Sequence, residues 1–519
     1  MEKKDAVNLS TTQVISDTFF VSAAKIGMTV LKPIRGILLG RLLGPQLYGI
    51  LSIPVPYVQI LTLLSNIGFN AAVIKLIPGY RQQGRPELAR MIYRSAIFLT
   101  VSLSIVWSVA LFLLAGWIAR DVAHNPEATA PIRIYALIIP FLAVNTFYAV
   151  AFLAMQRGRL KAGLSIAYGL VNLLLPIAAV LWREDVTVVL AGFLAAEVIG
   201  AVIYSVFFPG IAVRKVADKA VTLARGMKEI FGFGFLFFFA TLGWNLISSV
   251  DRIMVKFYLP AEQLAFYAMA SLIVTALTIV SSTAGTALIP SLTAATEKGD
   301  QALFRKQIWN TTRLGLLLLV PAGAVLFTLS TDIYTIVLPR YTASAGPLRI
   351  LVFIGFIDIL CRTAWASLVA NGRGGMAAAA YILAASLNIV LNIALIPRLG
   401  IEGAALATIT SFVVLAVILQ VMMSTVSKVR ARIRDIVHPL AIALVFPALG
   451  YACASLAVWP RTLVVLLPGT LIFLLIALRS RLVRAEDLDR LREILAEKPA
   501  GRLKDSGMAL IDLAGRLHG

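Results

Sequence analysis

The chain has 519 residues, of which 59% are hydrophobic and only 14% charged, and its mean hydropathy is +0.88. A soluble globular chain carries roughly a quarter of charged residues, so a soluble enzyme or binding module is excluded and the bilayer is the solvent to reason in. The net charge of +21 lies between the apolar runs, which leaves no nucleic-acid partner to invoke.

Cys361 and Cys453 sit inside apolar runs, read as small buried residues, and His124, His438 and His518 are scattered. No disulfide framework and no zinc or haem spacing exists, so neither a metal nor a cofactor is expected. At the start, a polar stretch from Met1 to about Thr12 leads into a full-length apolar helix. It lacks the short apolar region and cleavage site of a signal peptide, so this first helix is expected to be retained.

A membrane helix needs roughly 20 apolar residues. In order, the predicted spans are 14–39, 47–77, 95–118, 134–155, 162–182 and 186–208, then 230–258, 263–292, 311–329, 348–370, 376–396, 403–425, 436–458 and 463–478. Six precede the basic segment Arg214–Lys228 and eight follow it. With the N-terminus in the cytoplasm, the inward segments hold 32 Lys and Arg residues and the outward loops eight. That asymmetry places both termini in the cytoplasm of a multi-pass inner-membrane protein. The expected layout is a first lobe over 1–210, a basic linker at 211–229, a second lobe over 230–425, two further helices within 426–480 and a cytoplasmic tail over 481–519. In that tail Leu488, Leu491 and Leu495 with Arg484, Arg490 and Arg492 read either as a basic amphipathic helix at the membrane surface or as a solvated segment.

With Arg313 and Arg349, at span ends, counted among the loop charges, seven basic residues remain inside the spans: Lys25, Lys32, Arg35, Lys75, Arg252, Lys256 and Arg362; the acids there are Asp17, Glu197, Asp251 and Asp358. Each charge facing lipid at mid-bilayer costs about 2.5–3.5 kcal/mol, and several together about 20 kcal/mol, so a hydrated interior is the cheaper place. Helical phase agrees. Asp17, Lys25, Lys32 and Arg35 fall within an arc of about 80° on the first helix, although Pro33 can kink it. On the seventh helix, Thr241, Asn245, Ser248, Ser249, Arg252 and Lys256 make one polar stripe. Gln59, Thr62, Asn66 and Asn70 do so on the second helix, and Ser271, Thr275, Thr278 and Ser282 on the eighth, where helix packing explains the pattern equally well. Lys75, near the cytoplasmic end, is read as snorkelling. Asp358 and Arg362 are spaced to pair with each other. Glu197 stands alone, with a structural pair and proton coupling both open. The remaining cations outnumber acids in these stripes, which suits an anionic guest such as a phosphate or diphosphate head group.

The halves of the chain also repeat. Leu76-Ile77-Pro78 and the loop around Gly84 recur as Leu288-Ile289-Pro290 and the loop around Gly299; Gln156-Arg157-Gly158-Arg159 and Asn172 correspond to Asn371-Gly372-Arg373 and Asn388, at an offset near 212–218 residues. Internal repeats facing a central site are the common transporter plan. Three segments carry a resemblance to a known family: Gly40-Arg41-Leu42-Leu43-Gly44-Pro45-Gln46-Leu47-Tyr48-Gly49; Asp251-Arg252-Ile253-Met254-Val255 with Tyr267 after the next turn; and Asn388-Ile389-Val390-Leu391-Asn392 continuing through Ile396-Pro397-Arg398-Leu399-Gly400-Ile401-Glu402-Gly403-Ala404-Ala405. The chain, from about Ser10 to Leu478, resembles the polysaccharide transporter (Wzx-type flippase) family of the multidrug/oligosaccharidyl-lipid/polysaccharide exporter superfamily. It departs from the family at Lys256-Phe257-Tyr258, where such proteins often have a glycine near the turn.

The resemblance implies an all-α membrane protein of about fourteen helices, with two pseudo-symmetric six-helix lobes around a central cavity and two C-terminal helices. It also implies a non-enzymatic flippase moving polyprenyl-diphosphate-linked oligosaccharide by alternating access. Its partners would be that lipid-linked glycan, membrane lipids and the polymerase or assembly proteins of polysaccharide biosynthesis. The expected anion site is Lys25, Lys32, Arg35, Arg252, Lys256 and Arg362, with Gln59, Asn66, Asn70, Asn245, Ser248 and Ser249 as polar lining. Asp17, Glu197, Asp251 and Asp358 are the candidates for coupling or ion pairing. A lipid II flippase follows the same anion logic, whereas a drug/cation antiporter would call for an acid-dominated cavity. A membrane glycosyltransferase or ligase is least consistent, because the longest outward loop, 119–133, holds Asp121, His124 and Glu127 without a recognisable catalytic arrangement.

Overall fold

The computed structural model describes residues 11–208, 223–430, 432–480 and 482–496, with Met508 and Ile511; side chains are described from residue 31 onward apart from 209–225, 232–237, 240 and parts of the C-terminal helix. The backbone at Asp17 and Lys25 is helical, but their side chains lie outside the described residues, as do most of the predicted linker and the chain beyond 496 except for Met508 and Ile511.

The elements run α1 (Thr11–Ser52), α2 (Pro54–Asn66), α3 (Phe69–Gln82), α4 (Pro86–Trp117), α5 (Thr129–Ala136), α6 (Ile138–Ala154), α7 (Gly158–Trp182), α8 (Val186–Phe207), α9 (Leu223–Tyr258) and α10 (Ala261–Glu297). They continue with α11 (Gln301–Thr328), α12 (Ser330–Val337), α13 (Ala345–Leu351), α14 (Ile354–Ala370), α15 (Gly374–Val426), α16 (Ile433–Ala443), α17 (Val445–Ala452), α18 (Val458–Arg479) and α19 (Ala485–Ala496). Among the described residues, eleven helical segments are long and apolar enough to cross a membrane. The chain is therefore an all-helical, multi-pass membrane protein. A helix also covers each of the two predicted spans at 14–39 and 230–258. The 53-residue α15 contains two predicted spans, interrupted at Gly400 (φ 62°, ψ −139°).

Helix ends follow local chemistry. Proline opens α2 and α4, where its missing N–H costs no helical bond. At Gly84 (φ 71°) and Gly299 (φ 68°) the chain leaves its helix in the left-handed conformation that glycine tolerates. In both places the glycine N–H bonds three residues back and the next N–H five residues back: Gly84 to Arg81 and Arg85 to Tyr80, Gly299 to Thr296 and Asp300 to Ala295. The same terminal motif closes α3 and α10, and it also closes α6 at Gln156 and Arg157, bonded to Leu153 and Phe152.

Two compact units result, Met1–Ile279 with Arg373–Leu415, and Val280–Gly372 with Ala416–Gly519. In the first, α1 packs on α7, α7 on α8, and α4 on α3 and α6. A core of Phe69, Ile92, Tyr93, Phe147, Phe152, Tyr204 and Ile230 fills the space between α3, α4, α6, α8 and α9. Between apolar helices in lipid, close packing at small residues does the work that water would do elsewhere. In the second unit, α11 packs on α14, α16 and α17. There Arg461 at the start of α18 pairs with Asp332 on α12, and Arg349 bonds Ser330 and Thr331. Cys361 is buried, but Cys453 at the end of α17 is partly exposed, since the helix stops there.

Candidate functional site

The first unit contains a cavity of about 360 Å³. Three cations line it: Lys32 and Arg35 from α1, almost one turn apart, and Arg252 from α9. One carboxylate, Glu197 of α8, lines it too, together with Gln59, Tyr135, Tyr168, Asn172, Phe193 and Thr275. A net surplus of two positive charges faces this space.

Arg35 is held on one edge and one face. Its Nη1 donates to the backbone oxygen of Asn172 at 3.0 Å and to the Asn172 side-chain oxygen. Its guanidinium lies 4.5 Å over the Phe193 ring. Charge-assisted hydrogen bonds contribute about 1.5–3 kcal/mol each, and a desolvated cation–π contact about 2 kcal/mol. Arg252 has a buried Nε with no hydrogen-bond partner among the described residues. Lys32 is exposed to the cavity.

Glu197 is buried and bonded to three neutral groups. Tyr168 Oη donates at 2.6 Å and Asn172 Nδ2 at 2.9 Å to Oε1, while Asn145 Nδ2 donates at 2.7 Å to Oε2. Its side-chain partners among the described residues are these neutral groups rather than any of the three cations.

Asp251 precedes Arg252 on α9, but a step of 100° along a helix sends the two side chains different ways. The carboxylate is fully enclosed, accepting from Tyr267 Oη at 2.8 Å, Asn392 Nδ2 at 2.7 Å and the Thr408 hydroxyl. Asn392 Oδ1 and Asn388 Nδ2 are buried beside it with no partner among the described residues. In the second unit, Asp358 is buried and accepts from Arg362 Nε at 3.1 Å and from Ser281, the four-residue pairing expected from the spacing.

The other sequence candidates divide clearly. Gln59 lines the cavity and accepts from Ser249 Oγ at 3.3 Å. Asn245 and Ser248 donate to carbonyls of their own helix, at Thr241 and Trp244. Lys256 is buried and donates to the Leu259 carbonyl at 3.2 Å, closing the end of α9. Asn66 and Asn70 do not line this cavity, and their side-chain oxygens are buried without a partner among the described residues. Asn145, Tyr168, Asn172 and Phe193 had no place among the sequence-derived site residues, because each is a single polar or aromatic group within an apolar run.

Residues 14–295, more than half of the chain, match the polysaccharide biosynthesis protein family. This protein belongs to that family. Among curated relatives, the probable low-salt glycan biosynthesis flippase Agl15 of Haloferax volcanii is 24% identical over 392 residues, covering 72% of this chain and 76% of the relative. The teichuronic acid biosynthesis protein TuaB of Bacillus subtilis is 21% identical over 370 residues, covering 71% and 73%. Among solved structures, the lipid II flippase MurJ in an inward closed conformation superposes with a TM-score of 0.71 at 15% identity, over 90% of this chain and all of the other. An inward-facing multidrug resistance MATE transporter of the MOP superfamily gives 0.63 at 13%, covering 78% and 96%. The fold is thus that of MOP-superfamily transporters.

Proposed function

We propose that this protein flips polyprenyl-diphosphate-linked oligosaccharide across the cytoplasmic membrane by alternating access, with Lys32, Arg35 and Arg252 holding the diphosphate. The observation that carries this reading is the charge balance of the cavity, three cations to one carboxylate. A diphosphate joining a lipid to a sugar carries one negative charge per phosphate, and so meets a surplus of two. Unpaired cations in a low-dielectric space are costly until an anion arrives, which makes the empty cavity selective for one. The family assignment and the names of the flippase relatives support the same class of cargo.

At about 360 Å³ the cavity is at the lower end of ordinary ligand pockets. It suits the head group, with most of the glycan and the lipid tail outside it. Fourteen spans, two six-helix lobes with two added C-terminal helices, and cytoplasmic termini belong to this proposal. So does a contact with polymerase or assembly proteins. The molecule acts as a transporter rather than an enzyme. Asp251, a carboxylate with only neutral partners among the described residues, is the candidate for coupling to a cation gradient.

Reconstitution with fluorescent lipid-linked oligosaccharide tests the reading. Arg35→Ala and Arg252→Ala are each expected to reduce transport by about tenfold or more, the loss of one charge-assisted contact. Normal transport by both variants, or movement of a cationic drug in place of the oligosaccharide by the wild type, would overturn it. Lipid II flipping is the second reading, favoured by the likeness to the MurJ fold, and lipid II as competitor in the same vesicles separates the two.

A further inference from the structure

A neutral side chain bridges Arg35 and Glu197. Asn172, on α7, accepts from Arg35 Nη1 with its amide oxygen and donates from Nδ2 to Glu197 Oε1 at 2.9 Å. Each end of the amide matches the charge it meets. Tyr168 and Asn145 also donate to Glu197, so three of the roughly four acceptor sites of the carboxylate are taken by neutral groups and its pull on the guanidinium is weakened. Arg35, fixed along one edge by Asn172 and on one face by Phe193, keeps the rest of its fork of N–H donors for the cavity. That fork is the group that grips a phosphate with two parallel bonds.

We propose that Asn172 is a positioning residue that insulates Arg35 from Glu197 and so keeps the guanidinium available to an anionic ligand. This inference rests on the anion-cavity reading. Without the amide, Arg35 and Glu197 face each other across a low-dielectric gap. The guanidinium then closes on the carboxylate as a two-pronged pair. The net charge of the cavity is unchanged, yet its best phosphate donor is consumed.

The test is isothermal titration of farnesyl diphosphate into the full chain purified in detergent, comparing wild type with Arg35→Ala, Asn172→Ala, Asn172→Ala/Glu197→Gln, Asn172→Asp and Asn172→Asp/Glu197→Gln. Asn172→Ala is expected to weaken binding about tenfold, as Arg35→Ala does. Adding Glu197→Gln removes the competing charge and brings affinity back to within about threefold of wild type. A packing role for Asn172 would not be rescued by a second lost hydrogen bond. In the Asp background Arg35 is captured by residue 172 itself, so Glu197→Gln brings no recovery. If Asn172→Ala fails to fold, the near-isosteric Asn172→Leu with and without Glu197→Gln gives the deciding comparison, with the same loss and the same recovery expected. Wild-type affinity in Asn172→Ala or Asn172→Asp, or an Asn172→Ala defect that Glu197→Gln leaves in place, overturns the inference. Wild-type affinity in Arg35→Ala overturns the anion-cavity reading instead, which keeps the two failures apart.

Discussion

One turn beyond Glu197 on α8, a Cβ added to Gly200 would lie 2.5 Å from Tyr168 Cδ2 and 3.0 Å from Asn145 Nδ2. Those are two of the three groups that donate to the carboxylate. Gly200→Ala therefore pushes both donors away and leaves a buried charge short of partners, at a cost of about 1–3 kcal/mol per unmet bond. A thermal unfolding midpoint several degrees below wild type is expected; an unchanged midpoint would show that the Tyr168 ring moves aside freely. Arg35→Lys is likewise not conservative, since an ammonium cannot both hold Asn172 and present a planar fork. Its transport in vesicles is expected to resemble Arg35→Ala rather than wild type. Of the six cations singled out from the sequence, Lys32, Arg35 and Arg252 line this cavity, because charges inside apolar spans are few and helical phase collects them; Lys256 and Arg362 are engaged elsewhere. The neutral partners at the cavity were not legible in the sequence. Asn145, Tyr168 and Asn172 acquire a role only when α7 packs on α8 and α6 approaches both, and no local pattern announces that.

The helix α19 shows the same limit at the level of elements. Its leucine and arginine pattern left an amphipathic surface helix and a solvated segment both open; a helix forms, and its anchorage lies far away in the chain. Arg313, counted from the sequence among the cytoplasmic loop charges, is buried on α11 and forms a two-pronged pair with Asp487, at 2.7 and 2.8 Å. It also donates to the Leu482 carbonyl at 2.5 Å. Asp487 additionally receives the Arg484 backbone N–H, capping α19. Lys306–Glu486 is exposed and adds little. Burial disfavours ionisation of Asp487, but the hydrogen bonds from Arg313 and Arg484 outweigh it and hold the carboxyl below its ordinary value. A depressed carboxyl contributes stability that is complete above its unfolded value, about 3.9, and is lost as pH falls through the lower folded one. Protease resistance of α19 should thus be constant from about pH 8 to 5 and decline only below about 4. Asp487→Asn strands a buried guanidinium and costs about 3–5 kcal/mol. Cleavage of α19 in that variant at neutral pH is the expected result, and full resistance would remove the docking role.

For the whole molecule, hydropathy and the distribution of Lys and Arg made an all-helical membrane protein legible, because a bilayer penalises every other arrangement of backbone and charge. The bends at Gly44 in α1 and at Gly400 in α15 fall in the gaps between predicted spans, whereas the single predicted span at 47–77 is divided between α2 and α3 by the left-handed Gly68, because one glycine can turn an apolar run without interrupting its hydropathy. Single cysteines at 124 and 461, in a chain with Cys361 and Cys453 replaced by serine, should label from outside intact cells, and those at 85, 157 and 300 only after permeabilisation. Any reversal within that set breaks the fourteen-pass topology.

The account depends most on a cavity that is short of two negative charges. Equilibrium binding of a polyprenyl diphosphate and the matching monophosphate to the purified protein measures that shortage. A preference for the diphosphate of about tenfold or more, abolished in Arg252→Ala, is the expected result. Equal affinity for both lipids, or a preference that survives Arg252→Ala, would contradict it.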